Sequence, residues 1–203
     1  MARLKNNDYK NISIDDIIDP VIFVVDMVNG FVKEGALADP AIATISTNQI
    51  QLMETLSCKN VFVCDTHPPK TREFDAYPPH CIVGTKEADV VEELTPYIKE
   101  MIHKNSTNTF MAPEFQEFLK EQLDRYQDIV IVGCCTDLCI LQFALSMQGY
   151  LNEHNKTEQR VIIPCDCVET YHIDRIHEAD FWNEVSLKNM AANGITVVSK
   201  IEE

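Results

Sequence analysis

Short apolar runs alternate along the chain with stretches in which apolar residues recur every three to four positions. The runs at residues 21–27, 60–65, 100–103, 128–133, 160–164 and 195–200 predict strands. Residues 42–56, 88–98, 113–126, 136–149 and 173–192 predict helices, and Pro113 sits in the first turn of its helix, where a missing N–H costs nothing. Runs such as Val21-Ile22-Phe23-Val24-Val25 and Ile129-Val130-Ile131-Val132 are apolar at every position rather than at alternate ones. A strand of that kind is buried on both faces, so the alternation predicts an α/β fold with a parallel sheet covered on both sides. No repeat, low-complexity tract or linker interrupts it. The reading is one domain over residues 1–203, with 1–19 as a surface extension and a long Pro-rich loop from the second strand to Thr85.

In an open α/β sheet, ligands bind at the carboxyl ends of the strands. The fourth strand runs into Gly133-Cys134-Cys135-Thr136-Asp137-Leu138-Cys139 and then into a helix. Thr136 is placed to cap that helix. Cys139 then falls in its first turn, where free N–H groups and the helix dipole favour a thiolate and can hold an oxyanion. The first strand ends at Asp26 and the third at Lys104. Taken singly, a carboxylate here caps a turn and a lysine is a solvated end. Together with Cys139 they supply a nucleophile, a proton carrier and a cation, the set needed for covalent acyl transfer.

The second strand ends in Asp65-Thr66-His67-Pro68-Pro69, and His80 follows within Tyr77-Pro78-Pro79-His80-Cys81. Asp65 and His67, two apart at a strand end, can point the same way and bind a metal with His80, and Glu73 can complete the set. On spacing alone, a capped turn with two loop histidines explains these residues equally well. Cys81 is read as packing away. His103, His154, His172 and His177 read as ordinary hydrogen-bonded groups. Cys134 and Cys135 read as small core and turn residues, because adjacent cysteines bridge poorly.

Composition narrows the function classes. The formal net charge of -15 over 203 residues argues against nucleic acid or an anionic membrane as partner. No apolar run approaches the roughly 20 residues needed to span a bilayer, and residues 1–19 carry no apolar signal core, so a cytoplasmic location is expected. The eight cysteines, several inside apolar runs, read as reduced thiols rather than a disulfide scaffold. With six glycines and neither G-x-G-x-x-G nor a P-loop, dinucleotide or nucleoside-triphosphate binding by those routes is disfavoured.

Four segments in order resemble the nicotinamidases of the isochorismatase-like cysteine hydrolase family. They are Asp26-Met27-Val28-Asn29-Gly30-Phe31, then Asp65-Thr66-His67-Pro68 with Pro78-Pro79-His80-Cys81-Ile82-Val83-Gly84-Thr85. The lysine segment from Lys104 to Phe110 and the cysteine turn from Gly133 to Cys139 complete the set. The resemblance implies a doubly wound, Rossmann-like six-stranded parallel sheet with helices on both faces, often oligomeric, so a homo-oligomer is expected. It implies Asp26, Lys104 and Cys139 as the catalytic triad. It also implies a cis peptide between Cys134 and Cys135, with the Cys135 and Cys139 amides as oxyanion hole. Asp65, His67, His80 and Glu73 would bind one divalent metal per chain, zinc first, with iron or manganese as alternatives, and Phe31 and Tyr77 would flank a pyridine ring. The implied reaction converts nicotinamide to nicotinate and ammonia in NAD salvage, with a small-molecule amide as the partner. The alternatives are an amidase of the same family acting on a carbamoyl, ureido or other small amide, or a non-catalytic metal- or ligand-binding relative. Two departures stand out: Gly30 where an acidic residue is usual, and Lys70 to Arg72 where many relatives carry a further His-containing segment.

Overall fold

The alternation of side chains along the central strands builds two separate cores, one on each face of the sheet. In the computed structural model, which describes residues 9–203, the elements in chain order begin with β1 (Ile12–Ser13), β2 (Val21–Val25), α1 (Asn29–Val32), α2 (Ser46–Leu56) and β3 (Lys59–Asp65). They continue with β4 (Glu100–Lys104), α3 (Pro113–Glu121), β5 (Asp128–Cys134), α4 (Leu141–Glu153) and β6 (Arg160–Pro164). The last are β7 (Val168–Glu169), α5 (Ala179–Ala192), β8 (Thr196–Val198) and β9 (Ile201–Glu202). Val21, Phe23 and Val25 of β2 face α3, α4 and α5, while Ile22 and Val24 face α1 and α2. Phe23 anchors the first core, meeting Phe115, Phe118 and Phe143 edge-on at 5.3–5.7 Å between centroids. Such pairs add about 1 kcal/mol each beyond the area they bury.

The sheet order is β4-β3-β2-β5-β6-β8, with parallel pairing throughout. This is the doubly wound parallel sheet expected, with one addition. The two-residue strand β7 pairs with Gly133 and Cys134 at the end of β5, making seven strands rather than six. It takes the place beside β5 that β6 vacates after Val130↔Ile162, the last pair between them. Of the expected N-terminal extension, residues 1–8 lie outside the described residues. The rest crosses the surface, with Ile12 and Ser13 paired to Ile201 and Glu202 of β9.

All five expected helices change form or bounds. Residues 42–56 open as a 3₁₀ stretch that ends at Ile45, residues 113–126 end as an α-helix at Glu121, and three others change more. Residues 88–98 are not a helix but two 3₁₀ turns, Lys86–Ala88 and Glu92–Tyr97. Pro96 removes a donor inside the expected helix. Val90 bridges Val28, and the Val91 N–H donates to Met27 O at 3.0 Å, so tertiary pairing takes the backbone that a helix would have used. The last helix starts at Ala179 instead of residue 173, because Ile173 and His177 close an antiparallel bridge ahead of it. The helix after β5 opens with a five-residue π turn, Thr136–Ile140, marked by Ile140 N–H donating to Cys135 O at 3.1 Å. Its cap position is Cys135, with no side-chain cap bond, so Thr136 does not cap it; Thr136 is buried inside the turn.

Two glycines are required by close approach. Gly133 has φ +120°, and a Cβ there would lie 2.0 Å from Val25 O. Gly133→Ala should therefore cost at least about 3 kcal/mol of stability, read as a fall in the urea midpoint. A melt matching the parent chain would show that β2 and β5 can separate. At Gly30 a Cβ would lie 2.6 Å from Cys81 Sγ, so the acidic residue usual in the resembling family has no room here.

Candidate active site

The strand order decides which residues meet. Because β4, β3, β2 and β5 are neighbours in that order, Lys104, Asp65 and Asp26 arrive at adjoining carboxyl ends, with the Cys139 turn next to them. All four are buried. Asp26 follows β2 in the left-handed region at φ 53°, with its N–H donating to Val63 O at 2.8 Å. Its Oδ1 accepts the Asp65 N–H at 2.8 Å, and its carbonyl accepts from the Cys134 thiol at 3.1 Å. Lys104 Nζ lies 2.8 Å from Asp26 Oδ2, in shorter contact with Asp65 Oδ1, and 3.8 Å from Cys139 Sγ. Asp26, Asp65 and Cys139 bring ligand atoms within 4.8 Å of one another around this ammonium, so Asp26 is within reach of the Cys139 proton.

Burial and the neighbouring Asp65 charge push Asp26 up to about 6, against the pull of Lys104. Burial acts the same way on Asp65, but the Lys104 ammonium outweighs it and holds that carboxylate far below its usual range. Burial also works against the Lys104 charge, and the two carboxylates more than offset it, raising the ammonium well above its ordinary value. For Cys139 the balance goes opposite to the sequence expectation. Burial raises the thiol, and Asp26 and Asp65 add to it beyond what Lys104 gives back, so Cys139 rests as S–H rather than as a thiolate. The helix end and the lysine favour the thiolate, but burial and two carboxylates outweigh them.

The histidines form the second half of the site. His67 Nδ1 lies 2.8 Å from Asn105 Oδ1, which also accepts from Thr71, and His80 Nδ1 lies 2.8 Å from Pro78 O. Each Nδ1 must donate to its acceptor, which turns both Nε2 lone pairs inward. They face each other at 3.2 Å, with Asp65 Oδ2 3.6 and 3.7 Å away. With both rings neutral, three lone pairs converge on one point as in a cation site, and the Nδ1 acceptors are the outer partners that metal-binding imidazoles use. Glu73 joins the same group, all four residues offering ligand atoms within 4.8 Å of one another. The residues therefore fit a divalent metal. Cys81 is not among them; its N–H donates to Glu87 Oε2 at 3.0 Å and its side chain packs away, as expected.

A cavity of about 630 Å³ opens over both halves, in the size range of small-molecule sites. Cys139 and Cys135 are on its wall together with Asp65, His80 and Glu73, and Phe31, Tyr77, Leu138 and Tyr171 supply apolar surface. The structure thus gathers every expected site residue around one space, with Asp26, Lys104 and His67 directly behind its wall. The Cys134–Cys135 peptide is cis. Two side chains differ from the sequence expectation. His177, expected as an ordinary surface group, is only 7% exposed, and its Nε2 lies 2.8 Å from Asp137 Oδ2. The apolar residues around it, Tyr171 and Trp182, are the available signal. Of the two cysteines expected as core and turn fillers, Cys134 is one, while Cys135 reaches the cavity.

The family match and a curated relative make this an amide-hydrolysing enzyme. The isochorismatase domain matches residues 20–202, and the chain belongs to that family. Within it, the chain is similar to Nicotinamidase 1 of Arabidopsis thaliana, 27% identical over 213 residues that cover 89% of this chain and 85% of that one. Among solved structures, PnC1 from L. infantum in complex with nicotinate superimposes with a TM-score of 0.74 at 17% identity, covering 95% of this chain and 98% of that one. The pyrazinamidase of Pyrococcus horikoshii in complex with zinc gives 0.70 at 22% identity, covering 89% and 99%.

Proposed function

We propose that this chain is a metal-dependent amidohydrolase converting nicotinamide to nicotinate and ammonia, acting as a homo-oligomer in cytoplasmic NAD salvage. That it is an amide-hydrolysing member of its family rests on the family match and the nicotinamidase relative together. The observation that carries the finer reading is a single cavity holding both a buried thiol beside a carboxylate–lysine pair and two inward-facing imidazole lone pairs. An aryl amide with a ring nitrogen matches both ends. The eight cysteines form no disulfide among the described residues, which suits a reducing compartment. Among the described residues no helix is long and apolar enough to cross a membrane.

Asp65, His67, His80 and Glu73 would hold one divalent ion, and two imidazoles with carboxylates suit zinc, iron or manganese better than calcium. When bound, the ion supplies the positive charge that orients an electron-rich ring nitrogen. Phe31 and Tyr77 enclose the ring and exclude water. Asp26 accepts the Cys139 proton as the sulfur bonds to the carboxamide carbon. The backbone N–H groups of Cys135 and Cys139 donate to the oxygen that gains charge, about 3 kcal/mol for each such donor. Asp26 then passes the proton to the amide nitrogen, the C–N bond breaks, and ammonia leaves a thioester on Cys139. A water gives a proton to Asp26 and attacks the thioester, and the released sulfur takes that proton back. Lys104 stays cationic throughout and offsets charge on the sulfur and on Asp26.

The test is ammonia release from nicotinamide against carbamoyl and ureido compounds, with and without chelator. Chelation and His80→Ala should each lower kcat/KM by about a hundredfold or more, with little change in melting temperature. Full activity in metal-free protein would move the assignment to an amidase of carbamoyl or ureido compounds.

A further inference from the structure

Outside the triad and the histidine pair, a further polar group beside the cavity is built on Asp137. This residue lies in the π turn two positions before Cys139, and its side chain is nearly buried. Its Oδ1 accepts from Thr170 Oγ1 and its Oδ2 faces His177 Nε2 at 2.8 Å. His177 Nδ1 faces the Tyr171 carbonyl at 2.9 Å. The imidazole is sandwiched between Tyr171, at 3.8 Å and 12° from parallel, and Trp182, at 5.3 Å and 9°. Tyr171 is part of the cavity wall. One side chain therefore joins the turn carrying Cys139 to the cavity wall at Tyr171, and it is clamped in rotation by two rings.

The Thr170–Asp137–His177 row is not a second nucleophilic centre. The carboxylate sits in the middle, so Thr170 donates to an acceptor instead of facing a base. What the arrangement can do is hold position. The Cys135 and Cys139 amides sit on either side of Asp137 in sequence, and a buried carboxylate that loses one of two partners moves to find another. Movement of that turn shifts both the sulfur and the amide donors.

We infer that His177 is a positioning residue, fixing the nucleophile turn through Asp137 and the cavity wall through its stack on Tyr171. The kinetic part of the inference rests on the amidohydrolase reading above, while the geometric part does not. The two functions separate by substitution. His177→Phe keeps a flat ring between Tyr171 and Trp182 but gives up the bond to Asp137. His177→Gln returns a donor near the Nε2 position. His177→Ala removes stack and bond together.

The experiment measures kcat and KM per titratable Cys139, so that loss of folded protein does not count as loss of rate. Iodoacetamide alkylation of Cys139 is timed without substrate. His177→Phe should lower kcat by about tenfold to a hundredfold with KM within about twofold. His177→Gln should recover most of that loss, and His177→Ala should raise KM as well. The alkylation rate constant of Cys139 should shift severalfold in His177→Phe and return in His177→Gln. Asp137→Asn tests the same bond from the other side if His177→Phe does not accumulate folded. Parental kcat and alkylation rate in His177→Phe, or no recovery in His177→Gln, overturns the inference. If the parent chain does not hydrolyse nicotinamide, the functional proposal fails alone, and the alkylation rates decide the role of His177.

Discussion

Cys139→Ala is expected to lower multiple-turnover ammonia release from nicotinamide by at least about ten-thousandfold, while nicotinamide still binds. The loss is large because the reaction has no second route to a covalent intermediate. Cys135 also reaches the cavity, but the Lys104 ammonium lies 3.8 Å from Cys139 Sγ, and that charge is what offsets the developing sulfur charge. Cys134 is turned into the core, its thiol donating to the Asp26 carbonyl. Binding survives because the imidazole pair and Phe31 and Tyr77 are untouched. Calorimetric titration with nicotinamide, beside an ammonia assay, reads both quantities on one sample. Retained turnover above about a hundredth of the parent rate, or a trapped thioester on Cys135, would remove Cys139 from the nucleophile's role.

Much of this site is legible in the amino-acid sequence, and the reason is topological. Once residues 21–27, 60–65, 100–103 and 128–133 are read as buried parallel strands, their carboxyl ends must share an edge, and Asp26, Asp65, Lys104 and Cys139 come with them. The structure adds what single-strand reading cannot contain. Burial of every member raises the Cys139 thiol instead of lowering it, because charge balance depends on how many carboxylates enclose one lysine. Apolar spacing in residues 88–98 resembles a helix face, but Val90 and Val91 spend their contacts on Met27 and Val28. His177 has only the nearby Tyr171 and Trp182 as a signal, since its carboxylate partner Asp137 lies 40 positions earlier, in the turn after β5. Local periodicity finds the layers. It does not find the contacts between loops.

Asp26→Asn should abolish most turnover without weakening the fold, and the pH profile should show why. The carboxyl group is raised to about 6, first by burial and then by Asp65, in spite of Lys104. A group poised there can take the thiol proton at neutral pH and still give it to a departing amine. Activity requires the ionised form in free enzyme, so kcat/KM should level off above about pH 6. Below that pH it should fall about tenfold per unit, as the carboxyl fills with the proton it must accept. The amide of Asn has the same shape but cannot carry a proton, and a loss of about a thousandfold is expected, with no limb near pH 6 in whatever rate remains. Stability goes the other way. A folded-state value above the ordinary 3.8 means the folded protein binds more protons between these two values, so stability falls as pH rises through that window. At pH 7 the ionised Asp26 is thus a net cost to folding even with Lys104 beside it, and a neutral isostere relieves it. The melting temperature of Asp26→Asn at pH 7 should equal or exceed that of the parent chain. An active Asp26→Asn enzyme, or a parent profile flat down to pH 4.5, would assign the proton transfers to another group.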